Sequence, residues 1–220
     1  MRAASLVLFL TVTLTLNVRA AEDRTLLLAL GDSTTAGTPY FRSPIEKPPF
    51  GSGDPKGSYA YWIMLLRPEW TVLNHGVNAE RTDQILRRFE NKEIPPGTDT
   101  VIVLAGVNDL HQGRSSEDTA QGLKAIYDSA IRRGCKVLAC TVLPYDRSTA
   151  DVRQRMQKLN LWIRSYAEEQ GLGYCDTYTA AVDPLRPGML KGSPDGYHPN
   201  VNTARLVGEA VLQALERTGV

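Results

Sequence analysis

Short, unbroken apolar runs that alternate with stretches of helical period constrain this chain more than any other feature. Thr25 to Leu30 (TLLLAL), Thr71 to Leu73, Thr100 to Ala105, Lys136 to Leu143 and the weaker Gly173 to Thr177 have the character of strands buried on both faces, which is how strands of a parallel sheet read. Between and after them, Ser58 to Leu66, Thr82 to Phe89, Ser116 to Arg133, Ala150 to Gln170 and Val201 to Leu215 carry helical periodicity. This rhythm predicts a single α/β domain, with a five-stranded parallel sheet covered by helices on both faces. In such a fold, chemistry gathers in the crevice beyond the carboxyl ends of the strands.

The 220-residue length allows a core large enough to hold a preorganised site. Lys and Arg total 25 against 24 Asp and Glu, without any basic block, so the chain has no electrostatic footprint for nucleic acid or an anionic membrane surface.

The first twenty residues read as a separate unit. Met1-Arg2 is a short basic start, Ala3 to Leu16 is almost entirely apolar or Thr, and Val18-Arg19-Ala20 offers small residues for cleavage. Residues 1 to 20 are therefore expected to be a secretory signal peptide and 21 to 220 the mature domain, secreted or periplasmic, without stable membrane insertion after cleavage. The apolar run is shorter than the ~20 residues a spanning helix needs, which disfavours a one-span anchor. Three cysteines, Cys135, Cys140 and Cys175, cannot all pair within one chain and show no C-x-x-C metal spacing. Cys140 and Cys175 read as small buried hydrophobes, with a bridge between them as the alternative.

Polar groups cluster just after the strands. Ser33 follows the first strand in a Gly-Asp-Ser turn, Gly76 the second, and Asn108 the third, while Asp195 and His198 stand three residues apart before the last helix. Serine becomes a nucleophile when a base takes its proton, a third group orients that base, and donors await the developing oxyanion. His198 with Asp195 supplies the base and its orienter. Gly76 allows a backbone N–H to approach without a side chain in the way, and Asn108 can donate a side-chain N–H. Each of these residues alone also fits an ordinary turn or cap, and it is their joint order along the chain that carries the reading. His75 and His111 lack the Asp-x-x-His spacing and are not expected to be the base. Asp32 and Asp109 read as loop-fixing hydrogen-bond acceptors, as do Asn74 and Asn78, which flank Gly76.

Leu28-Ala29-Leu30-Gly31-Asp32-Ser33, Asn74-His75-Gly76-Val77-Asn78, Gly106-Val107-Asn108-Asp109 and Asp195-Gly196-Tyr197-His198-Pro199-Asn200 resemble, in order, the four blocks of the SGNH (GDSL-type) hydrolases. The resemblance spans nearly the whole mature chain. It implies a flavodoxin-like three-layer α/β/α fold, a Ser33, Asp195 and His198 triad, and an oxyanion hole built from the Ser33 N–H, the Gly76 N–H and the Asn108 side chain. It also implies hydrolysis of carboxylic esters of small molecules or glycans, without metal or cofactor. Many members carry a second glycine three positions after the block-two glycine; here that position is Ala79, which is expected to adjust substrate fit and leave the Gly76 donor in place.

Other catalytic readings fit less well. The residue two after Ser33 is Thr35, where an α/β-hydrolase elbow needs glycine. Gly37 is followed by Thr38-Pro39, not the Lys-Ser/Thr of a phosphate-binding loop. A metal-dependent phosphoesterase using Asp32, Asn108 and His198 would have too few ligands at metal spacing. The non-enzymatic alternative is a carbohydrate-binding or inactive module that holds a glycan by stacking on Tyr40, Phe41 and Phe50 of the long loop Thr38 to Gly57.

Overall fold

The computed structural model describes residues 25–219, so the expected signal peptide lies outside the described residues. In chain order the main elements are β1 (Leu26–Gly31), α1 (Ser33–Ala36), β2 (Phe41–Arg42), β3 (Ser52–Gly53), α2 (Tyr59–Leu66), β4 (Thr71–Gly76), α3 (Thr82–Glu90) and β5 (Thr98–Leu104). They continue with α4 (Val107–His111), α5 (Ser116–Arg132), β6 (Lys136–Cys140), α6 (Ala150–Gln170), β7 (Gly173–Cys175), α7 (Thr177–Ala181) and α8 (Val201–Arg217). Five of the strands form one parallel sheet in the order β4-β1-β5-β6-β7, and β2 and β3 form a separate antiparallel pair.

Numbered among themselves, the parallel strands run 2-1-3-4-5, the doubly wound flavodoxin-like order, whose reversal beside the first strand opens a crevice between β1 and β5. Alternate residues of β1 explain why its apolar run is continuous. Leu28 and Leu30 pack with Ile85, Leu123, Ile126 and Leu159 beneath α3, α5 and α6, whereas Leu27 and Ala29 pack with Tyr59, Ile63, Val211 and Leu215 beneath α2 and α8. Removing this much apolar surface from water on both faces is the main favourable term in folding. The three cysteines are buried and free, and Cys140 and Cys175 are register partners on β6 and β7.

The predicted element boundaries shift where pairing decides them. β4 runs on from Leu73 to Gly76, because its parallel ladder with β1 continues to the Gly31–Gly76 pair. β6 ends at Cys140 and β7 at Cys175, and Thr177 instead opens α7, capped by Asp176. The residues after the Gly-Asp-Ser turn, which can open a helix, form the short α1, whereas the short α4 lies within a segment that reads as a loop. The segment Thr38 to Gly57 is irregular apart from the β2–β3 pair and a 3₁₀ turn at Pro55–Gly57.

Candidate active site

Ser33 sits at the carboxyl end of β1 as the first residue of α1. The Asp32 side chain caps that helix by accepting the Thr34 N–H at 3.0 Å. Burial pushes the Asp32 carboxyl up to about 7 against the Thr34 hydrogen bond, and the nearby Asp109 and Glu80 add to the rise. Asp32 therefore acts locally as the acceptor that shapes the Ser33 turn.

His198 arrives from the loop before α8. Asn200 caps that helix through the Thr203 N–H and donates its own N–H to the Gly192 carbonyl, which fixes where the loop ends. Within the loop, Asp195 Oδ1 accepts the backbone N–H groups of Tyr197 and His198 at 2.8 and 2.9 Å, while Asp195 Oδ2 meets His198 Nδ1 at 2.7 Å. Partial burial works to raise the Asp195 carboxyl, but the hydrogen bonds from His198 and Tyr197 outweigh it and bring its pKa down to about 2. An ionised carboxylate only accepts, so Nδ1 carries the proton of the neutral imidazole and Nε2 presents a lone pair. That Nε2 lies 3.0 Å from Ser33 Oγ.

Ser33, Asn108 and His198 line one cavity of about 350 Å³, within the range of small-ligand sites. Leu104, Ala105, Val107, Val142 and Leu143 give it an apolar wall. Asn108, in the first turn of α4, donates one amide hydrogen to the Glu80 carbonyl at 2.9 Å, which leaves its second hydrogen for another acceptor. Tyr40, Phe41 and Phe50 are not among the lining residues, and the long loop reaches the cavity through Thr38.

The expectation for Gly76 needs correction. Its N–H donates to Asn74 Oδ1 at 3.0 Å, and the residue does not line the cavity. As the last residue of β4 it packs against α1 so closely that a Cβ would stand 2.1 Å from the Ala36 nitrogen, so glycine is required there for packing. Ala79, three residues further on, is placed differently. It lines the cavity, and its φ of 62° makes it the one described non-glycine residue with a positive φ. That conformation costs an L-residue roughly 1–2 kcal/mol. Among the described residues, neither the Ala79 N–H nor the Ser33 N–H has an acceptor. The signal available in the sequence was the alanine standing where relatives carry a second glycine, because a position that favours glycine is one that favours positive φ.

The neighbours of Ala79 are held on both sides. Thr82 donates its N–H and hydroxyl to the two oxygens of Asp109 at 2.9 and 2.8 Å, and Glu80 receives Arg88 through both carboxylate oxygens. Asn74 spans α1 and α2 by donating to the Ala36 carbonyl and to Ser58 Oγ. The other two histidines do not reach Ser33. His75 lies on β4, where burial, followed by the Arg88 and Lys92 charges, lowers its pKa to about 4. His111 lines the cavity but its Nδ1 meets the Tyr145 hydroxyl at 3.1 Å, and the Tyr145 ring stacks on Tyr197 at 5.8 Å.

The model of the GDSL-like Lipase/Acylhydrolase family matches residues 29–206, which takes in all four sequence blocks apart from Leu28 at the start of the first. The chain belongs to this family. It is accordingly a carboxylic ester hydrolase. Among curated proteins no sequence matches significantly. Solved structures similar to this acylhydrolase include a member of the lipolytic protein G-D-S-L family from Veillonella parvula, at 19% identity and TM-score 0.73, covering 88% of this chain and 99% of that one. A carbohydrate acetylesterase from Sinorhizobium meliloti matches at 15% identity and TM-score 0.67, with 88% and 99% coverage. The aryl esterase of M. smegmatis matches at 16% identity and TM-score 0.67, again over 88% and 99%. At these identities the likeness is one of fold.

Proposed function

We propose that this acylhydrolase is an exported serine esterase that cleaves short-chain acyl or acetyl esters, including those of sugars, through an acyl-enzyme on Ser33. The observation that carries this reading is the unbroken line from Asp195 through His198 to Ser33, with contacts of 2.7 and 3.0 Å. Ser33 Oγ attacks the ester carbonyl as its proton passes to His198 Nε2, and Asp195 stabilises the resulting imidazolium. The carbonyl oxygen, now an oxyanion, is received by the Ser33 and Ala79 N–H groups and the second amide hydrogen of Asn108. His198 returns the proton to the leaving alcohol. Water then gives a proton to the same nitrogen as it attacks the acyl carbon, and the acid departs when the Ser33 oxygen recovers the proton.

The short acyl preference rests on the modest cavity volume and on the Sinorhizobium neighbour, named a carbohydrate acetylesterase. Export rests on the basic start, apolar run and small residues within 1–20, and the catalytic domain then comprises residues 21–220. A fluorophosphonate probe tests the nucleophile. Its phosphorus should bond to Ser33 with loss of fluoride, and mass spectrometry should find the label on the peptide containing Ser33. Folded protein that stays unlabelled, or carries the label elsewhere, contradicts the proposal.

A further inference from the structure

The long segment between α1 and α2 meets the turn after β4 at three points. Ser43 donates its hydroxyl to the Gly76 carbonyl at 2.6 Å, Glu46 Oε1 accepts the Asn78 N–H at 3.2 Å, and the Thr38 hydroxyl donates to Asn78 Oδ1. Ser43 is itself fixed, since its oxygen also accepts the Ile45 N–H at 3.2 Å. The second carboxylate oxygen of Glu46 is buried and has no partner among the described residues. Taking an acidic oxygen out of water without a compensating hydrogen bond is unfavourable, so the contact with Asn78 is not a solvated surface pair.

We propose that Glu46 is a positioning residue for the oxyanion site, with Thr38 and Ser43 completing the brace. Asn78 immediately precedes Ala79, whose left-handed conformation an alanine does not choose unaided. Fixing the Asn78 N–H and side chain from one side, while Asn108 holds the Glu80 carbonyl from the other, confines the peptide between them and keeps the Ala79 N–H in the cavity. This gives the segment Thr38 to Gly57 a task other than holding a glycan by stacking. The inference rests on the proposed Ser33 mechanism and on the Ala79 N–H as a donor.

The effect belongs to the tetrahedral intermediate and the transition states that flank it, because the bound ester in its ground state carries no oxyanion. Since loss of a whole oxyanion donor lowers turnover by about 10² to 10³, partial displacement in Glu46→Ala should lower kcat at least about tenfold, with KM within about twofold of wild type. Glu46→Gln, which keeps an acceptor oxygen for the Asn78 N–H, should recover kcat to within about threefold. The independent readout is inhibition by an alkyl trifluoromethyl ketone. Ser33 Oγ adds to its carbonyl carbon, the serine proton passes to His198, and the carbonyl oxygen becomes an oxyanion. Its inhibition constant should weaken in Glu46→Ala by the same factor as kcat/KM. A merely structural Glu46 would lower the melting temperature and leave that constant unchanged.

Wild-type kcat in Glu46→Ala, or an unchanged inhibition constant beside a lowered kcat, overturns the proposal. Should Glu46→Ala fail to fold, the isosteric Thr38→Val, which removes the donor to Asn78 Oδ1, must show the same parallel loss in kcat and inhibitor binding, and its absence overturns the proposal equally. Ser33→Ala, assayed alongside, separates the two readings. Retained hydrolysis there refutes the Ser33 mechanism, whereas a dead Ser33→Ala beside an unimpaired Glu46→Ala refutes only the brace.

Discussion

His198 Nε2 lies 3.0 Å from Ser33 Oγ although 165 residues of sequence separate them. Asp195 holds the far side of the imidazole in the tautomer that leaves Nε2 able to accept. His198→Ala should therefore lose kcat/KM by several orders of magnitude while remaining folded. His111→Ala should keep the rate within about tenfold, since its Nδ1 is engaged by Tyr145 and not by Ser33. Steady-state kinetics on p-nitrophenyl acetate checks both, and a full loss in His111→Ala with near wild-type turnover in His198→Ala would move the base to the other histidine.

The Asn108 side chain is divided between the Glu80 carbonyl and the cavity. Asn108→Ala removes the donor proposed to act in the transition state, so kcat is expected to fall by about 10² to 10³ with KM little changed. The lost bond to Glu80 adds a modest destabilisation of about 1 kcal/mol, measurable by urea denaturation. An unchanged rate would take Asn108 out of the oxyanion site.

Gly76 and Ala79 should respond oppositely to exchanging hydrogen and methyl. Gly76→Ala drives a Cβ into the Ala36 backbone, an overlap expected to cost about 1–3 kcal/mol or more and to lower activity by displacing α1. Ala79→Gly relieves the cost of a left-handed alanine, partly offset by the greater backbone freedom of glycine, for a net gain of roughly 0.5–1 kcal/mol. Thermal unfolding and kcat of the two variants check this. A tolerated Gly76→Ala together with a destabilised Ala79→Gly would reverse the assignment.

Two groups should tie stability to pH in opposite senses. Asp32 is raised from 3.8 to about 7, so the native state binds more protons than the unfolded chain across that window. Its contribution is complete below about pH 4 and is lost as pH rises through 7. His75 is lowered from 6.5 to about 4, so its contribution is complete above about pH 6.5 and is lost as pH falls through 4. The melting temperature of Asp32→Asn relative to wild type should therefore climb as pH rises from 4 to 7, and that of His75→Gln should fall. Differences that do not vary with pH would refute both assignments.

Much of this was legible because local patterns coincide with tertiary needs. The continuous apolar run of β1 reports burial on both faces, and Ser33, Asn108 and the Asp195–His198 pair stand where the strands and the last helix require loops. Gly76 misled because the length of β4 is fixed by its ladder with β1, which no local pattern reveals, and a glycine needed for packing against Ala36 reads the same as one needed for a donor. Glu46 was illegible for a related reason. It lies in an aperiodic segment, and its contact with Asn78 spans 32 residues that only the folded chain brings together.

The role proposed for Ser33, nucleophile of an esterase, is open to direct test. Hydrolysis of p-nitrophenyl esters from acetyl to long acyl chains should be compared between the protein lacking residues 1–20 and its Ser33→Ala variant. Turnover should be highest on the shortest chains and abolished, to within background, by removal of the one hydroxyl. Equal hydrolysis by both folded proteins would contradict that role.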